Sequence, residues 1–372
     1  MRSLKVPFFE YSRLFKDDRE SLLAVIEDVG NRGAYILQKD VVEFEAALGT
    51  YVHTDFAIGV ANATDALEIA WTAIGLKPGD EVIISSHTML ATASAIVVAG
   101  GVPVPVDIGS DNLIDPAAVE SAITSKTVGI SPTHLNGRTC AMDKISAIAK
   151  KHKLAVIEDS AQGLGSKFDG KMAGSFGDAA AFSFYPAKIL GSMGDGGAIT
   201  TSDSALYEKM YQMHDHGRDT QGEIKSWGRN SRLDNLQAAI LNFRFKSYEE
   251  TIIRRREIAT RYNELLKGIQ ALNLPESPAK NSKNFDTFQN YELTAEDRDD
   301  LVLYLKLNGI GTLIQWGGKG IHQWGHVNFL RSLPNTEDFF QKCLMLPINM
   351  FVSNADIDYV CEKIHEFYAQ RN

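Results

Sequence analysis

Residues 55–201 alternate between short apolar runs and segments with helical spacing, and this alternation limits the possible folds more than any other feature. The run DFAIGVAN is typical of a buried strand, and TDALEIAWTAIG, which follows it, has the apolar spacing of a helix. Strand-like and helical segments then alternate up to LAVIEDS, including DPAAVESAI, in which Asp115 is the expected N-cap and Pro116 the first helical residue. Strands that alternate with helices form a largely parallel sheet covered on both faces. We therefore predict an α/β domain.

The residues after about 235 have a different character. LDNLQAAILNFRFKSYEETIIRRREIATRYNELLKGI predicts one long, charged helix that bridges two domains or carries a subunit contact. NLPESPAKNSKN reads as a polar, proline-containing loop, and the remainder is shorter and mixed. We predict a large α/β domain over residues 1–240 and a smaller α+β domain over residues 241–372 that begins with the long linking helix.

Charge and composition exclude several classes of protein. The formal net charge is −9 and no long basic run is present, which argues against a nucleic acid polymer as partner. No apolar run approaches the roughly 18 residues of a membrane span, and the N-terminus lacks the apolar region of a signal peptide. Three widely spaced cysteines, Cys140, Cys343 and Cys361, indicate neither a disulfide framework nor a zinc cluster. A reducing, cytoplasmic location fits these features best.

Polar clusters follow several predicted strands, at the edge of a parallel sheet where ligands gather. Asn62-Ala63-Thr64-Asp65 lies at a strand-to-helix turn, where free backbone N–H groups can cradle a phosphate, or where Thr64 can simply cap the helix. In IEDSAQG, Glu158 and Asp159 follow a buried strand directly. Such a carboxylate pairs with a cation, for example a protonated heterocyclic nitrogen, or caps the next turn.

Two further clusters carry basic groups. Lys188 is the one lysine in AFSFYPAKILGSMGDGGAITT, where it either keeps its ammonium in water or serves as an amine nucleophile with a pKa lowered by desolvation. GRNSRLDNLQAA places Arg229, Asn230 and Arg232 just before a predicted helix, where they hold a phosphate or cap and balance that helix.

Taken in order, these clusters carry a family resemblance. The segments are GAYILQKDVVEFEAAL, ANATDALEIAWTAIGLKPGDEVIISSHT, THLNGR, VIEDSAQGLGS, GSFGDAAAFSFYPAKILGSMGDGGAITT and NSRLDNLQAAIL. They resemble the pyridoxal phosphate (PLP) aminotransferases of nucleotide-linked sugars, the DegT-like family of the fold-type I, aspartate-aminotransferase-like superfamily. The resemblance covers about two thirds of the chain. It implies a largely parallel seven-stranded sheet flanked by helices.

The resemblance also implies roles for individual residues. Lys188 would bind PLP covalently and shuttle protons, and Asp159 would pair with the pyridinium nitrogen and keep the ring an electron sink. The other expected cofactor contacts are Gln162 near the ring hydroxyl, Ser183 with Ala63 and Thr64 at the phosphate, Met89 against the ring, and Asn230 at the phosphate of a neighbouring subunit's cofactor. Tyr185, Arg229 and His322 fall where the sugar approaches in similar proteins.

The implied activity is transfer of an amino group, from L-glutamate, onto a nucleotide-linked keto-deoxy sugar. The product would serve deoxyamino sugar biosynthesis for a lipopolysaccharide, an O-antigen or another glycoconjugate, and the enzyme would be a homodimer with shared active sites. Four positions depart from the family pattern: Met89 replaces a stacking aromatic residue, Asn136 another aromatic residue, Arg229 a tyrosine, and IQWGGKGIHQ a Tyr-Pro segment. A thioether still packs on an aromatic ring. These departures bear on the sugar rather than on the cofactor.

Other functions fit the sequence less well. A dinucleotide-dependent dehydrogenase needs a GxGxxG turn after its first strand, which GVANATDAL does not provide. PLP-dependent sugar dehydratases carry histidine at the lysine position, and a non-catalytic regulator would be expected to lack Lys188 or Asp159. A metal site at His214 and His216 has no evident third ligand. We therefore expect a transaminase without a metal.

Overall fold

The computed structural model describes residues 4–278, 282–325, 329 and 331–371. Strands within this part of the chain form three sheets. In chain order they are β1 (Phe56–Val60), β2 (Glu81–Ser85), β3 (Val102–Val106), β4 (Thr127–Ser131), β5 (Ala155–Asp159), β6 (Lys167–Phe168), β7 (Lys171–Met172), β8 (Ala179–Ser183), β9 (Gly197–Thr201), β10 (Leu272–Asn273), β11 (Asn284–Phe285), β12 (Tyr291–Ala295) and β13 (Cys343–Leu346).

The large sheet has seven strands in the order β1-β9-β8-β5-β4-β2-β3. Every pairing from β8 through β5, β4 and β2 to β3 is parallel, whereas β9 is antiparallel to both of its neighbours, β1 and β8. Six strands therefore run in one direction and end at one edge. The largely parallel seven-stranded sheet expected from the sequence is confirmed.

Thirteen helices lie in the described part of the chain, some on the two faces of this sheet and others in the C-terminal part. They are α1 (Tyr11–Lys16), α2 (Arg19–Arg32), α3 (Lys39–Val52), α4 (Ala63–Ile74), α5 (Leu90–Val98), α6 (Pro116–Ala122), α7 (Met142–His152), α8 (Ser204–His214), α9 (Asn235–Phe245), α10 (Tyr248–Leu266), α11 (Arg298–Leu307), α12 (Pro334–Lys342) and α13 (Asn354–Ala369). Short 3₁₀ turns lie at 135–137, 315–318 and 321–323. The predicted cap of α6 is present, since the Asp115 side chain accepts a hydrogen bond from the N–H of Ala117 at 3.0 Å.

The two faces are filled by alternate residues of the same strands. Ile157 of β5 and Ala181 of β8 pack with α4 and α5, whereas Val156 packs with α6 and α7 on the opposite face, where Phe182 contacts α3 and α9. Successive side chains of a strand point to opposite faces. Because Glu158 and Asp159 are neighbours in β5, the same alternation points their side chains to opposite faces of the sheet.

The single helix predicted over residues 233–269 is wrong, because two helices occupy this stretch. Helix α9 ends before Lys246, and Ser247 donates hydrogen bonds from its N–H and its hydroxyl to the Arg244 carbonyl, at 3.2 and 3.3 Å. Serine side chains compete with helical hydrogen bonds in this way and favour a helix end. Consequently α9 packs on the large sheet, whereas α10 packs on α13.

A second core lies in the C-terminal part. Helices α10, α11 and α13 pack on the antiparallel sheet β10-β12-β13, and Val6 joins this core through a bridge to Ile310. The boundary at residue 240 stays a prediction. Residues 279–281 of the polar loop lie outside the described residues. Among the helices that the structure describes, none combines the length and the apolar character that a membrane crossing requires.

Trp71 of α4 is fully buried against the middle of the large sheet. Its indole covers Gly129 of β4, and a Cβ atom at that position would lie 2.4 Å from the ring. The strand therefore needs glycine here for the close approach of a ring and not for an unusual backbone conformation.

Replacing Gly129 with alanine tests this packing. We expect Gly129→Ala to lower the free energy of unfolding by about 1–3 kcal/mol, because overpacking forces the ring and strand apart. The control is Gly30→Ala in α2, where a Cβ meets no atom within 4 Å and alanine should raise stability by up to about 1 kcal/mol. Urea denaturation of both variants measures the difference. Equal stabilities would contradict the tight contact.

Candidate active site

A cleft of about 610 Å³ opens where β1, β5 and β8 end. It brings together eight of the residues predicted from the sequence: Ala63, Thr64, Met89, Asp159, Gln162, Ser183, Tyr185 and Lys188. They come from loops far apart in the chain and meet because parallel strands end at one edge. The size is ordinary for a small-molecule site.

The N-terminus of α4 forms one wall of the cleft. The side chain of Asn62 caps the helix by accepting from the N–H of Asp65 at 2.9 Å, so Asn62, rather than Thr64, is the N-cap. The N–H groups of Ala63 and Thr64 bond to no other described residue. Free N–H groups at a helix start attract anions. A Cβ at Gly197 would lie 2.4 Å from the Asn62 backbone, so only glycine lets β9 support this turn so closely.

The last two residues of β5, Glu158 and Asp159, point to opposite faces of the sheet. Glu158 accepts hydrogen bonds from the N–H groups of Gly174, Phe176 and Gly177 at 2.7–2.8 Å and lies 2.8 Å from His134 Nε2. It is therefore satisfied within the protein and holds a loop. Asp159 lines the cleft.

Asp159 is 3% exposed, and two donors fix its carboxylate. Thr92 of α5 donates its hydroxyl proton to Oδ2 at 2.6 Å, and the N–H of Ala161 donates to Oδ1 at 3.2 Å. Thr92 is in turn 2.8 Å from the Thr88 hydroxyl. Both carboxylate oxygens therefore have a donor, and the side chain is held in one orientation in the cleft.

Lys188 lies in the same cleft at the end of a tight turn. Its N–H donates to the Tyr185 carbonyl at 2.8 Å, with Pro186 at the second position, where proline favours such turns. Burial lowers the pKa of Lys188 to about 8, against the attraction of Asp159, which favours the ammonium form. The amine is therefore substantially neutral in mildly alkaline solution. Of the two interpretations left open by the sequence, the desolvated amine fits this surrounding.

Gln162 is oriented by a polar network below the cleft. Its Oε1 accepts from the N–H of Asn136 at 2.8 Å and from Nδ2 of Asn290 at 3.3 Å. Since both neighbours are donors, the carbonyl end of Gln162 faces the network, and its NH₂ group is left for the cleft. Asn136 also donates to Glu292 at 2.6 Å, and burial raises the pKa of Glu292 to about 7.

Three predicted residues do not line the cleft. Arg229 pairs with Glu68 of α4, and Asn230 is exposed beside it, with its backbone bridged to Asp215. His322 is buried, with Nδ1 2.6 Å from the Ser86 hydroxyl and Nε2 3.1 Å from Glu337. Their functional roles stay predictions.

Sequence reasoning missed several residues of the site. Trp316 and Leu135 form an apolar part of the cleft, and Asp195 and Thr133 also line it. Trp316 has φ 46°, a left-handed conformation that is unusual for a bulky residue. The glycines that follow it in QWGGKG were the only signal of a tight turn at this position.

No metal cluster accompanies the site within the described ranges. Groups of three or more histidine, cysteine or acidic side chains with suitable geometry are not found there. His214 is buried and His216 exposed, and the three cysteines are buried and free.

Chemical labelling tests the environment of Lys188. In the cofactor-free protein, we expect its acetylation by acetic anhydride to rise with pH around a midpoint of about 8, far below the usual lysine value of about 10.4. Asp159→Asn should move the midpoint lower, because the carboxylate favours the ammonium form. Peptide mass spectrometry measures both profiles, with exposed lysines of the same digest as reference. A midpoint near that of exposed lysines would contradict a desolvated amine at Lys188.

Comparison with known proteins agrees with this geometry. A relative from Geobacillus stearothermophilus, named a pleiotropic regulatory protein, is 38% identical over 98% of this chain and 99% of its own. The dTDP-3-amino-3,4,6-trideoxy-alpha-D-glucose transaminase of Streptomyces venezuelae is 34% identical over 98% of this chain and 96% of its own.

Solved structures extend the likeness to the whole fold. Streptomyces venezuelae DesV, crystallised in complex with a ketimine intermediate, superimposes with a TM-score of 0.93 at 34% identity, covering 98% of this chain and 99% of DesV. The sequence profile of the DegT/DnrJ/EryC1/StrS aminotransferase family matches residues 16–365. The chain therefore belongs to the DegT/DnrJ/EryC1/StrS aminotransferase family.

Proposed function

We propose that this aminotransferase moves an amino group from L-glutamate onto a keto sugar carried by a nucleotide. One observation supports the proposal most: Lys188, Asp159 and the free N–H groups of α4 meet in one cleft. The chain that forms this cleft is a member of an aminotransferase family. PLP is the cofactor of this family, as expected from the lysine-centred motif.

The residues of the cleft fit PLP by the chemistry of their polar groups. Its phosphate would be held by the N–H groups of Ala63 and Thr64 and by the hydroxyls of Thr64 and Ser183, which supply donors without adding a charge. Asp159 would pair with the ring nitrogen. The NH₂ group of Gln162 would donate to the ring hydroxyl, and Met89, half exposed at the start of α5, would pack against the ring.

Residues of this chain would transfer protons and place a charge beside this cofactor. When bound, PLP supplies an aldehyde that captures amines and a ring that withdraws electrons from them. Lys188 would accept and return a proton at Nζ, for which a pKa of about 8 is suitable, because proton transfer is most efficient near the working pH. Asp159, fixed by Thr92, would keep a negative charge beside the ring nitrogen.

The sugar would occupy the outer part of the cleft. Tyr185, half exposed, and the apolar pair Leu135 and Trp316 line the same cleft and would offer the sugar a hydroxyl and apolar surface. The Streptomyces venezuelae relative is named for a 3-amino sugar, and a ketimine, as in the DesV complex, joins an amine to a ketone. A 3-keto sugar is therefore the first substrate to test.

Two other functions are less well supported. A sugar dehydratase would have histidine in place of Lys188. One relative has a regulatory name, but this chain keeps both Lys188 and Asp159, which a purely regulatory protein does not need. We place the enzyme in the cytoplasm, where nucleotide sugars are available, and its product in the synthesis of a lipopolysaccharide, an O-antigen or another glycoconjugate.

We also propose a homodimer with shared active sites. Asn230 is exposed and absent from the cleft of its own chain, and it follows an exposed loop that includes Trp227. The alternative that Asn230 caps its own helix is not favoured, since α9 begins at Asn235 with Asp234 as the N-cap residue. Asn230 would reach the cofactor phosphate of the partner subunit.

A substrate panel tests the activity. The enzyme with PLP and L-glutamate should convert a 3-keto nucleotide sugar to its amine, detected by mass spectrometry, and leave a 4-keto isomer less converted.

Lys188→Ala should abolish turnover while retaining bound PLP through Thr64, Ser183 and Asp159. Borohydride should fix PLP to the Lys188 peptide of the parent protein. Fixation at another lysine would refute the assignment of Lys188.

Subunit mixing tests the shared site. Lys188→Ala and Asn230→Asp chains are each expected to be inactive as homodimers. In their heterodimer, one site would carry both changes and the other neither, so activity should partly return. Native mass spectrometry confirms subunit exchange. Exchange without recovered activity would place Asn230 in its own chain's site.

A further inference from the structure

Gln289 brackets Lys188 from the C-terminal part of the chain. Its Nε2 donates to the Ala187 carbonyl at 2.9 Å, and its Oε1 accepts from the N–H of Ile189 at 2.9 Å. These two groups belong to the peptide units before and after Lys188. One side-chain amide thus holds both peptide planes that flank the lysine.

This bracket fixes the direction in which Lys188 leaves the backbone. The orientation of the two peptide planes sets φ and ψ of the residue between them, and with them the Cα–Cβ direction. The turn itself supplies one bond on the N-terminal side, from the Lys188 N–H to Tyr185. Gln289 adds the constraint on the C-terminal side, at Ile189. An amide suits the task because it donates and accepts in one plane.

Gln289 is itself held rigidly. It is 7% exposed, and its backbone carbonyl accepts from Nη1 of Arg255 at 3.1 Å. The same guanidinium holds the Phe288 carbonyl at 2.9 Å, and Arg255 is buried in α10. The next residue, Asn290, contacts Gln162. A single segment before β12 therefore contacts two sides of the cofactor site.

We propose that Gln289 is a positioning residue that presents the Lys188 amine to the aldehyde of PLP. The inference rests on the proposed covalent role of Lys188. It assigns to the C-terminal part a direct function in the site, through a residue that does not line the cleft.

The test separates attachment of PLP from binding in the same pocket. In the cofactor-free protein, the rate of PLP attachment at Lys188 is followed by borohydride trapping and peptide mapping. Affinity for 4-deoxypyridoxine 5′-phosphate, which lacks the aldehyde, is measured by calorimetry. Gln289→Met should slow attachment about ten- to a hundredfold, since a small displacement of a reacting group has such an effect. Affinity for the deoxy analogue should stay within about twofold.

Two further variants complete the design. Gln289→Glu keeps the acceptor for Ile189 and loses the donor to Ala187, so it should show an intermediate loss and decides the question if Gln289→Met does not fold. Gln237→Met removes an amide that accepts from the Met193 N–H at 2.8 Å, near the lysine but not flanking it, and should leave both measurements unchanged.

The outcomes are distinct. Attachment at the parental rate in both Gln289 variants would overturn the positioning role. So would a loss of affinity for the deoxy analogue as large as the slowing of attachment. Slowing of attachment in Gln237→Met equal to that in Gln289→Met would also overturn it. Absence of attachment at Lys188 in the parent protein would instead refute the proposed function.

Discussion

The register between β5 and β8 is the constraint on which the site depends. Asp159 pairs with Ala181, so the turn that carries Lys188 extends just beyond the end of the strand that carries Asp159. A slip of one residue would exchange the faces of Glu158 and Asp159. It would leave a buried carboxylate without donors and three backbone N–H groups without an acceptor, at roughly 1–3 kcal/mol for each unpaired group. The bonds of Glu158 therefore hold Asp159 in the cleft, although Glu158 takes no part in it.

The chemical groups and their orientation come from different parts of the chain. The large sheet supplies the amine, the carboxylate and the free N–H groups. The segment before β12 supplies amides that bind the peptide units around Lys188 and the carbonyl of Gln162. Arg255 of α10 anchors that segment. Damage to packing in the C-terminal part should consequently reach the cofactor site through these hydrogen bonds.

The sequence predicts the local structure and the reacting groups well. It predicts poorly the distant residues that hold the reacting groups in place. Alternating apolar runs were sufficient to predict the sheet, and the motif around Lys188 was sufficient to predict the family. Both signals lie in residues that are close together in the sequence. Gln289 lies about a hundred residues from the lysine it holds, and no local pattern marks such a contact. The helix break at Ser247 was missed because the helical periodicity continues across it. A cap by Thr64 was the alternative to a phosphate site at this turn, but Asn62 caps α4; threonine and asparagine are both good N-cap residues, so their identity alone does not choose between the two positions.

Two of the departures from the family pattern, Asn136 and the segment 314–323, are connected by a hydrogen bond. Asn136 donates to the buried Glu292 and accepts from Gln315 at 2.6 Å. An aromatic residue at position 136 would remove both bonds and take the Asn136 donor away from the buried Glu292 carboxyl. Each of these two amides is next in the chain to a residue that lines the cleft. Leu135 precedes Asn136, and Trp316 follows Gln315. The bond between Asn136 and Gln315 therefore sets the distance between the two apolar residues. The polar network thus links the two segments whose apolar residues line the space in which the sugar would be recognised.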